Sequence, residues 1–109
     1  MKKMIMFAVV LSFTAALTAS AADPKETWGA SCARCHGADG KGQTNIGRRL
    51  GARDYSDPAV QAALTDEAAF KAIKEGFKDK DGKTVMRPVE NLSDSDIKGL
   101  VAYVRTFKK

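Results

Sequence analysis

Both cysteines of this 109-residue chain and its only histidine fall within five residues, Cys32-Ala33-Arg34-Cys35-His36. Two thiols and an imidazole at that spacing suit four chemistries: a disulfide, a thiol redox centre, part of a zinc site, or the anchor of a covalent cofactor. Each makes a different demand on the rest of the chain.

A bridge within Cys-x-x-Cys closes a very short loop and gains little chain-entropy stabilisation. A closed zinc site takes four ligands, mostly Cys and His, and these three are all that the chain offers. A thioredoxin-like centre needs a βαβ unit beside the motif, and no strand alternation is visible here. The fourth reading uses every residue present. Cys-x-x-Cys followed directly by His is the c-type haem attachment motif. Two thiols at helical spacing add to the vinyl groups along one porphyrin edge, and His36 then reaches the iron from the proximal side.

The beginning of the chain supports export. Lys2 and Lys3 precede an apolar run from Met4 to Leu17, and Ala19-Ser20-Ala21 fits a signal peptidase site. The run is shorter than the roughly 20 apolar residues of a membrane span. The expected division is a signal peptide over residues 1–21, cut between Ala21 and Ala22, and one domain over 22–109. Removing Lys2 and Lys3 with the leader lowers Lys plus Arg from 18 to 16 against 13 acids, a net charge of +3 over 88 residues. Only 19 side chains larger than alanine, cysteines aside, remain to build a core. So small a set ordinarily needs a staple, and a flat apolar macrocycle supplies one. The three leader methionines go with it, leaving Met86 as the sole methionine. A Met sulfur opposite histidine raises the potential of a haem iron.

The elements that must position these groups read as helices. Asp23-Pro24-Lys25-Glu26 is a helix start with a capping box. Trp28, Cys32 and Cys35 follow on one face, and Gly37 ends the helix. The glycine-rich segment 37–57 reads as loop. Asp57-Pro58 opens a short helix to about Leu64. Thr65 caps another, with Phe70 and Ile73 inward and Gly76 as its stop. Residues 78–91 return to loop around an Asp81-Gly82 turn. Ser93 opens the last helix, with an apolar stripe of Ile97, Leu100, Val101 and Val104. The expected fold class is all-α, three to four helices with long loops wrapped around one covalently bound haem.

On these residues the chain resembles the small monohaem c-type cytochromes, class I of the cytochrome c family. The shared features are "CARCHG" closing an N-terminal helix, Trp28 one turn before the first cysteine, "KTVMRPV" before the last helix, and the "LSDSDIKGLVAYVRTF" helix itself. The resemblance implies covalent haem c at Cys32 and Cys35, His36 as proximal and Met86 as distal iron ligand. It also implies Leu100 and Tyr103 packed across the N-terminal helix. The chain departs from many relatives in two places. Arg87 separates Met86 from Pro88, and residues 37–57 hold no proline to supply a carbonyl for the His36 Nδ1–H. A carbonyl near Asn45 to Gly47 is the expected acceptor. Two alternatives stay open: Met86 as a gap-filling core residue beside a five-coordinate or Lys83-ligated iron, and Tyr55, Arg48, Arg49 and Arg53 as propionate donors or a solvated basic loop.

The implied function is a one-electron carrier, not an enzyme, working as a monomer outside the cytoplasm between larger redox proteins. Two propionates bring the net charge near +1, no footprint for nucleic acid. After signal cleavage no stable membrane insertion is expected. The competing readings are a haem protein with an open or displaceable distal site, for gas binding or peroxide chemistry, and an electron-entry subunit of a larger oxidoreductase.

Overall fold

The structure, a computed structural model, describes residues 22–109; the expected signal peptide lies outside the described residues. The first helical run has three parts without a break: α1 (Pro24–Thr27), a π-helical turn (Trp28–Cys32) and α2 (Ala33–His36). Asp23 caps it in extended backbone, its carboxylate accepting the Lys25 N–H at 3.0 Å. That bond falls one residue before Glu26, and the expected capping box does not form. The wider π turn shows in the Ala33 N–H, which donates to the Trp28 carbonyl five residues back. Such turns gather at functional sites, and this one ends on the first cysteine.

Segment 37–57 is not all loop. It holds α3 (Asn45–Leu50), capped by Thr44 and ended by Gly51 in the left-handed conformation at φ 77°. The capping signals were present, but the helix shows almost no apolar stripe. Next come α4 (Pro58–Ala63), with Asp57 as N-cap, and α5 (Asp66–Glu75), with Thr65 as N-cap and Gly76 past its end. Ile73 faces inward as expected; the second buried position on α5 is Ala69 rather than Phe70. Phe70 is half-buried, with the Lys74 ammonium 5.6 Å above its ring.

The segment after α5 contains a small antiparallel ladder, β1 (Phe77–Lys78) against β2 (Thr84–Met86), with Phe77 opposite Met86. Strands of two and three residues are too short to show alternation in sequence. The expected turn at Asp81-Gly82 lies between them. Its geometry is held by Asp79, whose carboxylate accepts the Asp81 and Lys83 N–H groups at 2.9 and 3.0 Å. The last helix, α6 (Asp94–Arg105), buries Ile97, Leu100, Val101 and Val104, the four residues of its expected stripe. With residues 24–36 counted as one helix, the described residues form five, one more than expected because of α3.

Helix α6 is the hub. On one side α1 crosses it at Gly99, where a Cβ would sit 3.2 Å from the Pro24 ring. On the other, α5 packs its Ala69 and Ile73 into the shared core with Trp28 and Cys32. The expected packing of Tyr103 across the first helix is present: its ring centroid lies 5.9 Å from that of Trp28, with Phe107 5.0 Å from Trp28 on the same side. Arg105 ties the far end together, donating to the Gln61 and Leu64 carbonyls and pairing with Asp66 at 2.8 Å. No helix among the described residues is long and apolar enough to cross a membrane.

Candidate haem-attachment site

The site is built at the C-terminal end of the first helical run, the one element on which three of the four expected residues stand. Cys32 closes the π turn and is buried; Cys35 lies one turn on and is half-buried; both thiols are free. Burial, with a smaller contribution from Cys35, pushes the Cys32 thiol up from 9.0 to about 11. A redox-active thiol of the thioredoxin kind needs its pKa lowered. Cys32 is displaced the other way, and is a neutral thiol packed in an apolar core.

His36 is the last residue of α2. Its ring stacks on Tyr55 with centroids 5.4 Å apart and 28° between planes, and lies 5.5 Å from Trp28. Burial holds its pKa below the ordinary 6.5, which keeps the imidazole neutral, the form that binds iron. Nδ1 is buried without a hydrogen-bond partner. The expected acceptor near Asn45 to Gly47 is therefore not in place. That segment forms α3, and the Gly47 carbonyl is already taken by the N–H groups of Gly51 and Ala52. Of the expected propionate donors, Tyr55 lies half-buried against His36, whereas Arg48, Arg49 and Arg53 are exposed.

Met86 stands apart from the helix end in sequence but packs, half-buried, against the same core cluster that contains Cys32. Its backbone is tightly held. Gly76, at φ 82°, leaves no room for a side chain: a Cβ would come within 2.6 Å of the Met86 carbonyl oxygen and 2.9 Å of Pro88 Cδ. The Val89 N–H then donates to the Ile73 carbonyl at 2.9 Å. Arg87 is exposed, and Pro88 packs against Gly76.

These residues fit a covalently held haem. Two free thiols and an uncommitted neutral imidazole share one helix end, and the core around them is incomplete. Met86, Tyr55, Leu64, Val89 and Leu92 remain only partly covered where they meet the buried cluster. An unsatisfied buried nitrogen calls for an explanation in a native fold, and half-covered apolar surface beside it suits a macrocycle. A separate concavity of about 700 Å³ runs between α5 and α6, lined by Phe70, Val101 and Arg105 among others. It touches none of the four expected site residues.

The contacts that finish this helix end are not written in the local sequence. The Trp28 indole N–H donates to the Gly37 carbonyl at 2.9 Å, the Gly42 N–H to the His36 carbonyl at 2.8 Å, and the Thr44 hydroxyl to the Cys35 carbonyl at 2.7 Å. Thr44 followed by Gly51 was the one available signal, an N-cap and a left-handed stop around a short helix.

Residues 19–104 match the family model described as cytochrome c oxidase, cbb3-type, subunit III. Among solved structures, the chain is similar to the KustC0563 c-type cytochrome, at 38% identity and a TM-score of 0.68, over 80% of this chain and 99% of that one. A tyrosine-to-phenylalanine mutant of that cytochrome matches at 37% identity and a TM-score of 0.65, over 79% of this chain and 99% of the mutant. No curated protein matches the chain. With a helix end offering two thiols and a free imidazole, and a family match over residues 19–104, the chain belongs to the cytochrome c family of the cbb3 subunit III type, and as a c-type cytochrome it holds haem c covalently through its Cys-x-x-Cys motif and serves electron transfer.

Proposed function

We propose that the protein is a one-electron carrier whose iron keeps two protein ligands, His36 and Met86, in both oxidation states. When bound, the haem supplies an iron that takes up and gives back a single electron. The chain's own residues do the rest. Cys32 and Cys35 fix the macrocycle by thioethers, and His36 offers a neutral imidazole from the helix that carries them. Met86, held between Gly76 and Pro88, offers a thioether sulfur, a ligand that favours a high potential. The observation that carries this reading is an uncommitted imidazole one residue from the thiols, with a single pinned methionine beside the shared core. With two protein ligands retained there is no open position for substrate, and the protein sets a potential without making bonds.

The same proposal places the mature chain, beginning at Ala22, outside the cytoplasm. It works there as a monomer between larger redox proteins through small, short-lived interfaces. A second reading, an electron-entry subunit of a larger oxidoreductase, draws on the description of the family model and uses the same ligands. The third, an open distal site, makes an opposite forecast. The reduced protein is expected to take up no carbon monoxide at neutral pH and to give a reversible one-electron wave. A reduced protein that binds carbon monoxide readily, with a high-spin ferric form, overturns the carrier.

A further inference from the structure

An α-helix leaves its last carbonyls without partners, and in this protein those carbonyls border the cofactor site. Four carbonyls at this helix end find donors within the chain. The Ala33 oxygen takes the Gly37 N–H at 2.8 Å, the His36 oxygen the Gly42 N–H at 2.8 Å, and the Gly37 oxygen the Trp28 indole at 2.9 Å. The Cys35 oxygen is the exception in kind, because its donor is a hydroxyl from another helix: Thr44 Oγ1, at 2.7 Å. That hydroxyl also accepts the Gly47 N–H at 2.9 Å as the N-cap of α3. One side chain thus joins the C-terminus of the attachment helix to the N-terminus of the next.

The junction is sealed. At Gly47 a Cβ would overlap the Cys35 carbonyl oxygen and come within 2.7 Å of the Gly42 oxygen. Backbone meets backbone there, in tight contact. The peptide held in this way is the one between Cys35 and His36. Its carbonyl lies at the negative end of the helix dipole, and its plane sets the direction in which the His36 side chain leaves the backbone.

We infer that Thr44 is a positioning residue for the proximal ligand, fixing the Cys35–His36 peptide and quenching the negative charge of its carbonyl beside the iron. This rests on His36 being that ligand. Removing the hydroxyl takes the Thr44 donor from the part-buried Cys35 carbonyl, leaving it more negative toward the iron, and ferric iron gains relative to ferrous. Thr44→Val, of nearly equal volume, shifts the ferric-to-ferrous equilibrium toward ferric by at least about threefold, on a scale where tenfold is about 59 mV for one electron. Thr44→Ser keeps the donor and keeps the wild-type potential.

The test is potentiometric titration of the holoproteins, wild type, Thr44→Val and Thr44→Ser, with thermal melts and ferric spectra of each. A lower potential in the valine variant, restored by serine, supports the inference. A valine variant that melts earlier at an unchanged potential overturns it, because Thr44 is then only a helix cap; equal shifts in both variants overturn it too. If the valine variant does not accumulate, Thr44→Ala serves in its place: it removes the same donor without adding a branched methyl, and a lower potential supports the inference while an unshifted one overturns it. Failure of the ligand assignment looks different: the wild-type ferric spectrum itself is then high-spin.

Discussion

Gln61 is a buried polar side chain, 5% exposed, on which three parts of the chain converge. Its amide nitrogen donates to the Tyr55 and Val104 carbonyls at 2.7 and 2.8 Å, and its amide oxygen accepts from Arg105 at 2.9 Å. Leucine matches its bulk and can do none of this. Gln61→Leu is expected to lose about 1–3 kcal/mol, the cost of leaving buried groups unpaired, read as a lower urea midpoint at unchanged slope. Nothing near Gln61 in sequence marks it as buried, since its main partner lies 43 residues on. Cys32, Cys35 and His36 are legible for the opposite reason. Attachment to one rigid macrocycle dictates a local spacing, and that spacing is written in five consecutive residues. Met86 is intermediate: it is picked out as the sole methionine beyond the expected leader, but what holds it, Gly76 against Pro88, is a contact between segments.

Helix α6 begins on a capping box in which the Ser93 hydroxyl accepts the Asp96 N–H while the Asp96 carboxylate accepts the Ser93 N–H, both at 3.0 Å. Asp96 also accepts the N–H of Ala22, the residue that becomes the N-terminus under the proposed cleavage, at 2.9 Å. The hydrogen bond from the Ser93 backbone, with that from Ala22, holds the Asp96 carboxyl below its ordinary 3.8. The unfolded chain therefore binds the proton first as pH falls. The stability Asp96 contributes is fully present above pH 3.8 and is lost as pH drops through its lower folded value. Asp96→Asn should flatten that part of the acid branch, measured as urea midpoints between about pH 2 and pH 6. Helices α4, α5 and α6 were legible because each carries its own cap and, in α5 and α6, a helical apolar period. Helix α3 and the β1–β2 ladder were not. The first is held by the close approach of Gly47 to the attachment helix, the second by pairing of segments too short to show a pattern. The π turn at Trp28–Cys32 likewise leaves no mark on the spacing of Trp28, Cys32 and Cys35.

As a whole molecule the protein is a thin core around a cofactor. Among the described residues eight apolar ones are buried in one cluster, and nine more remain half-covered around it. The scarcity of large side chains pointed to this before any contact was known, and it explains why the loops are long: they enclose a group that the polypeptide does not itself supply. We propose that this group is a haem held by His36 on one side and Met86 on the other. The absorption spectrum of the ferric protein tests it most directly. A low-spin spectrum with the weak long-wavelength sulfur-to-iron charge-transfer band is expected in the wild type, and loss of that band in Met86→Ala. A wild-type protein without the band, or a Met86→Ala variant that keeps it, would contradict the assignment.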